Sequence, residues 1–400
     1  MLFGTALTLP LIFAALPSGA SPEPPLDFEE DVVEDAEEEA AALLEKGEEQ
    51  VGKGQHKQAV STYGKLAKRF PDTEAAAIAR RRMQPNAYLG FADVMRTGPS
   101  ENRVDIVLMG DGYVLKRMGM YDDIAGDVPR IFERNRTFKE YVSYLNILRA
   151  NVVSEEDGID GFGREYSTAL GGKISAGTIG SQVTVDRELA RAMLAEMPQQ
   201  DDMAIVLVKK GTLGTGGGGI AAVAAHNFST LIHEWGHAFA NLQDEYSTHT
   251  GFRGDVTNSV NVSNTPDPER VPWAHWIAAD VRGIGIYEGA DGRVRGAWKP
   301  TSTGCIMGDG EFFCMVCREA IVLRIHEFVD PIENAVPDPI AFAELETGAN
   351  GEALEFVVTV TRPASHNLEV SWWVLLEDDA PSSPRYDPDA ARDGRRAERG

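Results

Sequence analysis

The sequence predicts an α+β domain with a mixed central sheet, preceded by a helical segment and followed by further β-strands. Between residues 103 and 328, short apolar runs rich in β-branched residues alternate with amphipathic stretches. Before this region, apolar residues recur at spacings of three and four. After Pro331, apolar runs are separated by turn residues. At 400 residues the chain is long enough for two or three domains.

The helical segment covers residues 34–83 and resembles a tetratricopeptide-type helical pair with the start of a third helix. Pro71 closes the second predicted helix. One such unit buries little surface alone, so we expect it to pack on the next domain or on a protein partner. A simple helical spacer is an equally good interpretation.

The central region contains three predicted strands, which are "RVDIVLMGDGY", "YLNILRANVVS" and "DMAIVLVKK". An amphipathic stretch at 114–144 predicts helix after the first of them. Beyond Pro331, "IAFAELETG", "ALEFVVTVTRP" and "NLEVSWWVLLED" predict the opening strands of a β-sandwich.

The first twenty residues are an apolar run that ends in small residues, with Ser18 and Ala20 placed as at a signal-peptidase site. We therefore expect a secreted, periplasmic or extracellular protein, although the first basic residue is Lys46. The predicted division of the chain is a signal peptide at 1–20, an acidic linker and helical segment at 21–99, the α+β domain at 100–330, and a partial β-sandwich-like domain with a disordered tail at 331–400.

The formal net charge is −24, which argues against nucleic acid and anionic membranes as partners because polyanions are repelled. No later apolar stretch is long enough to predict a membrane span. The three cysteines are Cys305, Cys314 and Cys317. In an oxidising compartment we expect two of them to pair and one to remain free, without a preferred pairing.

The stretch "LIHEWGHAFANLQDEY" carries the functional signal. On a helix, His233 and His237 lie one turn apart on one face, so both imidazoles can reach one cation. Glu234 lies beside that face, where it can take a proton from a water on the metal. In a chain of this composition, at most about 0.025 matches to the pattern H-E-x-x-H are expected by chance. This low number disfavours an ordinary amphipathic helix.

A catalytic zinc site needs a third protein ligand and one open position. If the helix ends at Asn241, a residue that tolerates the left-handed conformation, the chain turns back and Asp244 can reach the metal. Glu245 and His249 are the competing candidates. We expect the longer Glu245 to turn outward or to contact an imidazole N–H.

A second signal follows seventy residues after His237, in "GCIMGDG". Met307 lies in a Gly-rich turn, and its thioether can pack beneath the two imidazoles without competing for the metal. The following stretch, "VCREAIVLRIHEF", predicts a helix.

Taken together, these motifs resemble the IgA-peptidase family of zinc metallopeptidases, which are relatives of the metzincins. The resemblance covers 103–328 and includes "VDIVLMGDGY", "NVVSEEDGID", "GTGGGGIA", "HEWGHAFANLQDEY", "YEGADG" and "CIMGDGEFFCMVCREAI" in that order. It implies a metzincin-like fold and a secreted zinc endopeptidase, without implying that immunoglobulin is the substrate. Gln243 stands at the usual third-ligand position of metzincins, so the third ligand stays open.

The glycine-rich run before the histidine helix has two interpretations. In metzincin-like enzymes this neighbourhood supplies an edge strand that pairs with an extended substrate. A flexible surface loop is equally compatible with the sequence "GTLGTGGGGIAAVAA".

The sequence thus predicts a secreted zinc-dependent endopeptidase that acts on a protein or peptide. Glu234 is its general base, and Tyr246 is a candidate hydrogen-bond donor to the oxyanion. The alternative is a non-catalytic peptidase-like scaffold or binding protein at the cell exterior. The presence of Glu234 argues against it, because a protein that only binds needs no general base.

Overall fold

The computed structural model describes residues 28–176, 181–197, 203–248, 254–336 and 357–370. The predicted signal peptide, His249 and the predicted strand "IAFAELETG" lie outside these residues. The helices are α1 (Phe28–Gly52), α2 (His56–Arg69), α3 (Glu74–Arg82), α4 (Met118–Arg134), α5 (Arg187–Leu194), α6 (Leu231–Ala240), α7 (Ala274–Ala278) and α8 (Met315–Phe328). The strands are β1 (Ala87–Met95), β2 (Val104–Asp111), β3 (Leu145–Val153), β4 (Lys173–Ala176), β5 (Ser181–Thr184), β6 (Ala204–Val208), β7 (Thr215–Gly217), β8 (Ile220–Ala224), β9 (Tyr287–Glu288), β10 (Trp298–Lys299), β11 (Ile332–Val336) and β12 (Val357–Val360).

Six strands form the central sheet in the order β1-β3-β2-β6-β8-β7. The inner pairs β3–β2, β2–β6 and β6–β8 are parallel, whereas β1 and β7 are antiparallel to their neighbours. The inner strands β2 and β6 are buried throughout, which explains why they are continuous apolar runs in the sequence. The predicted mixed sheet of an α+β domain is confirmed.

Helices cover both faces of this sheet. On one face, α4, α6 and α8 share a core that includes Phe132, Trp235 and Ile321. On the other face, Ala190 and Leu194 of α5 pack against the sheet. The helix α6 packs against the strands β7 and β8 and also against α8. These contacts fix the position of the histidine helix.

The N-terminal helices pack on the edge of the sheet. The Tyr63 hydroxyl of α2 donates to the Leu89 carbonyl of β1 at 3.1 Å, and Arg149 of β3 donates to the carbonyl of Val51 at 3.2 Å. Leu89 itself belongs to the core of α1–α3. The helical segment therefore shares a core with the sheet; its likeness to a tetratricopeptide unit stays a prediction.

The strand β1 precedes the domain boundary that we predict at residue 100. It pairs along its length with β3 as an edge of the central sheet. A truncated protein that retains the complete sheet must therefore begin before Ala87.

The described part of the C-terminal region contains one antiparallel pair, β11 with β12. The strand β12 lies within the predicted strand "ALEFVVTVTRP", whereas β11 was not predicted. The β-sandwich stays a prediction. None of the helices in the described ranges has the length and apolar content that a bilayer span requires.

The contact between the helical segment and the sheet can be tested by substitution of Leu89, with the exposed Leu323 of α8 as the control. Leu89 is 1% exposed and Leu323 is 62% exposed. We expect Leu89→Ala to lower the free energy of unfolding by about 2–5 kcal/mol and Leu323→Ala to change it by less than about 0.5 kcal/mol. Chemical denaturation of both variants measures the difference, and equal values would contradict the shared core.

Candidate active site

The histidine helix α6 ends where the sequence predicts. Asn241 adopts a left-handed conformation with φ 51° and ψ 34°. The N–H of Leu242 donates to the carbonyl of Gly236 at 3.2 Å, which closes the helix end. Trp235 and Phe239 are buried on the core side of the helix, so His233 and His237 face an open cleft of about 820 Å³.

Backbone carbonyls orient both imidazoles. Nδ1 of His233 lies 2.8 Å from the carbonyl oxygen of Ile306, and Nδ1 of His237 lies 2.5 Å from that of Leu242. A carbonyl oxygen only accepts, so each Nδ1 carries the proton. In the neutral rings the Nε2 lone pairs therefore face each other, and they are 3.1 Å apart.

Asp244 completes this group. Its Oδ1 lies 3.2 Å from Nε2 of His233 and 3.2 Å from Nε2 of His237. Burial by itself would raise the pKa of Asp244, but the two imidazoles hold it well below its usual range. Burial likewise disfavours charge on His233, yet the Asp244 carboxylate raises the pKa of that imidazole to about 9. The three side chains thus form a pocket that favours positive charge.

The pocket fits a tetrahedral metal ion. Zinc–ligand bonds of about 2.0–2.1 Å place neighbouring nitrogen or oxygen ligands about 3.3 Å apart in a tetrahedron. The three observed separations are 3.1, 3.2 and 3.2 Å. Moreover, Oδ1 of Asp244 is buried and makes no well-formed hydrogen bond. When both imidazoles are neutral, these three atoms are all acceptors, and a cation between them would satisfy all three.

Glu234 lies beside this pocket, and its carboxylate lies within 4.8 Å of the ligand atoms of the two histidines. Its side chain is only 7% exposed, and burial raises its pKa above the usual range. A Cβ on Gly214 would lie 2.4 Å from its Cγ, so a glycine is needed there. Gly216 is constrained in the same way, because its Cβ would lie 2.1 Å from the Glu234 carbonyl oxygen.

Met307 packs against the histidine helix. It is fully buried, and its Sδ is 3.0 Å from the position that a Cβ on Gly236 would occupy. Its carbonyl accepts from the N–H of Glu245 at 2.6 Å. The turn around Met307 therefore supports the helix and also fixes the chain that returns with Asp244.

Tyr246 lines the cleft on the open side of the pocket. Its ring stacks on that of His233, with centroids 6.4 Å apart. Burial raises the pKa of its hydroxyl, and the neighbouring Asp244 carboxylate adds to this. Tyr246 therefore keeps its proton and can act as a hydrogen-bond donor.

Glu245 does not turn outward or toward an imidazole, so that expectation is wrong. Its carboxylate is 1% exposed and points into the protein, where Cys317 lies 3.1 Å away. Asn261 also donates to this carboxylate, at 3.0 Å. Burial raises the pKa of Glu245 to about 8. The side chain thus lies apart from the two histidines.

The expected disulfide is also absent. Cys305, Cys314 and Cys317 are all free in the structure. The sulfurs of Cys305 and Cys317 are 3.8 Å apart, whereas a disulfide bond measures about 2.0 Å.

The glycine-rich run is an edge strand rather than an irregular loop, since β7 pairs with β8. Its outer side is partly occupied, because the N–H of Val183 donates to the carbonyl of Leu213 at 3.0 Å. Thr215 also donates to the Val183 carbonyl through its hydroxyl, at 3.0 Å. Pairing of a substrate along this edge stays a prediction, and β5 restricts where it could occur.

Comparison with known protein families gives the class of the protein. Residues 92–282 match a peptidase family, which identifies the protein as a peptidase. The family is described as IgA Peptidase M64, and the match over residues 92–282 supports membership of the chain in it. The match includes the histidine helix and Asp244 but ends before the Met307 turn. No curated protein matches the chain significantly.

The third ligand can be tested with two neighbouring substitutions. We expect Asp244→Ala to lower the metal content by about one ion per chain, because it removes the oxygen between the two imidazoles. Gln243→Ala serves as the control, since the hydrogen bonds of Gln243 to Asn261 use only its backbone. Metal analysis after dialysis against a weak chelator measures both. Loss of metal from Gln243→Ala alone would assign the ligand to the usual metzincin position.

Proposed function

We propose that this peptidase is a zinc-dependent endopeptidase in which His233, His237 and Asp244 hold the ion. One observation carries the proposal: two imidazole Nε2 atoms and one carboxylate oxygen lie within 3.2 Å of one another at the bottom of an open cleft. When bound, zinc polarises the scissile carbonyl and lowers the pKa of a water to about 7. The histidine and carboxylate ligands leave one position of a tetrahedron open, as a catalytic site requires.

Glu234 acts as the general base and acid. Its buried carboxylate adjoins the two histidines and lines the cleft. There it takes a proton from the attacking water and delivers it to the leaving nitrogen. The raised pKa suits this double role, because a base whose pKa approaches the operating pH both accepts and returns the proton.

Tyr246 stabilises the developing negative charge on the substrate oxygen. Its hydroxyl keeps its proton, and its ring is held against His233. A preorganised donor of this kind typically lowers the activation barrier by about 2.7–4 kcal/mol.

The shape of the cleft suits an extended peptide. Its walls come from the β5–β7 side, including Gln182 and Gly216, and from the turn around Met307, including Ile306 and Gly308. Small residues on both walls leave room for a main chain to approach the ion. The substrate is therefore a protein or peptide cut within its chain.

A non-catalytic scaffold is the alternative function. A buried carboxylate beside the metal pocket is costly to maintain, and binding alone gives it no role. The helices α1–α3 pack on the sheet in this structure, so a protein partner for them is not needed to cover their apolar faces.

The assigned base can be tested by Glu234→Gln, which keeps the shape of the side chain and removes the carboxylate. We expect this variant to retain its metal and to lose about 10²–10⁴-fold in peptide hydrolysis. Glu269→Gln is the matched control, because Glu269 is exposed and lies outside the cleft. Hydrolysis of a fluorogenic peptide library measures both. Parent activity in Glu234→Gln would refute the mechanism, and no activity in the parent would favour the scaffold.

We also propose that the protein is exported, on the basis of its apolar N-terminus. If residues 1–20 form a cleaved signal peptide, the exported protein begins at Ser21. Intact-mass analysis of protein from the medium or periplasm tests this. Recovery of the chain with Met1 intact and only in the cytoplasm would contradict export.

A further inference from the structure

A second group of metal-binding side chains lies behind the candidate active site. Glu245, Cys305, Cys314 and Cys317, here called the cysteine–glutamate cluster, each offer one ligand atom, and these atoms all lie within 4.8 Å of one another. Three of the four residues are buried and Cys314 is half-buried. The cluster contains none of the proposed catalytic ligands.

Three distances within the cluster are close to those of a mononuclear tetrahedral site. Zinc–sulfur bonds of about 2.3 Å place two sulfur ligands about 3.8 Å apart, and a sulfur and an oxygen ligand about 3.5 Å apart. The sulfurs of Cys305 and Cys317 are 3.8 Å apart. Oε1 of Glu245 lies 3.1 Å from the sulfur of Cys317 and 3.9 Å from that of Cys314. A carboxylate oxygen therefore lies among the sulfurs, as a shared ion would require.

Neutral hydrogen-bond donors surround the Glu245 carboxylate of the cluster. The Glu245 carboxylate forms no ion pair with a side chain in the described part of the protein, although it is 1% exposed. Asn261 donates to Oε1 at 3.0 Å and Thr301 donates to Oε2 at 3.2 Å, which fixes its orientation. A metal ion among the sulfurs would supply the positive charge that no side chain provides to this carboxylate.

The start of α8 favours thiolates in the same place. Cys314 is the N-cap of this 14-residue helix, and Cys317 lies in its first turn. The N-terminus of a helix stabilises negative charge placed near it. In addition, the backbone N–H of Cys314 points to the sulfur of Cys305 at 3.5 Å.

We propose that the cysteine–glutamate cluster binds a second, structural metal ion of the zinc class. Four protein ligands fill the tetrahedron, so this site has no open position for water and does no chemistry. Binding releases the thiol protons to solvent and changes no oxidation state. The proposal does not depend on the peptidase activity.

The position of this ion gives it a role in the fold. It would join three separate segments, namely the segment after α6 that carries Asp244 and Glu245, the turn of Cys305 and Met307, and the start of α8. Two of these segments also build the candidate active site. The second ion would therefore hold Asp244 and Met307 in position from behind.

Metal analysis of the full chain purified in the presence of zinc tests the proposal. We expect two zinc ions per chain in the parent protein and one in Cys317→Ser. His237→Ala should also retain one ion, bound at the cluster. Met315→Ser is the matched control, since Met315 lies between the two cysteines in the first turn of α8 but is 41% exposed; it should retain both ions. One ion in the parent that is lost entirely in His237→Ala would overturn the proposal.

Cobalt substitution adds a spectroscopic test. Thiolate ligands give cobalt(II) a near-ultraviolet charge-transfer absorption that histidine and carboxylate ligands do not. We expect this band in the parent and in His237→Ala, and its loss in Cys317→Ser. A cobalt-loaded parent without the band would contradict thiolate ligation.

Thiol labelling keeps the proposal testable if Cys317→Ser fails to fold. In the folded parent, all three cysteines should resist alkylation until a strong chelator removes the metal, and should then react. Resistance that is unchanged by the chelator, or an intact mass lower by two hydrogens from a disulfide, would overturn the proposal.

Discussion

The reversal of the chain at Asn241 is the constraint on which the candidate active site depends. In a continuous helix, Asp244 would lie about 10.5 Å along the axis from His237, because each residue advances about 1.5 Å. That separation excludes a shared ion. The left-handed conformation of Asn241 instead returns the chain, and Oδ1 of Asp244 comes within 3.2 Å of both imidazoles. The Leu242 carbonyl of the same turn orients His237.

The consecutive residues Asp244 and Glu245 lie in environments that shift their pKa values in opposite directions. Asp244 faces the imidazoles, which outweigh the effect of burial and lower its pKa. Glu245 faces the cysteines, and burial raises its pKa to about 8. The turn around Met307 fixes the backbone at this point, since the Met307 carbonyl accepts from the Glu245 N–H at 2.6 Å. The position of the proposed third ligand is therefore coupled to the packing behind it.

Local sequence patterns were sufficient to predict those helices and strands whose formation depends on neighbouring residues in the chain. The spacing of His233 and His237 predicted one helical face, and the apolar runs predicted three of the four inner strands of the sheet, β2, β3 and β6. The environment of the Glu245 side chain could not be predicted, because the three cysteines around it lie 60 to 72 positions further along the chain. The expected disulfide was wrong for a related reason, since cysteine spacing does not fix the geometry of the sulfurs. The carbonyls that orient the histidines are backbone atoms, which leave no signal in the sequence.

Anomalous diffraction at the zinc absorption edge, from crystals of the zinc-loaded protein, tests the central claim most directly. The account predicts a peak about 2.0–2.2 Å from Nε2 of His233, Nε2 of His237 and a carboxylate oxygen of Asp244. Glu245 would lie outside this coordination sphere. A zinc ion bound to the two histidines with Gln243, Glu245 or His249 as the third ligand, while Asp244 points away, would contradict the account.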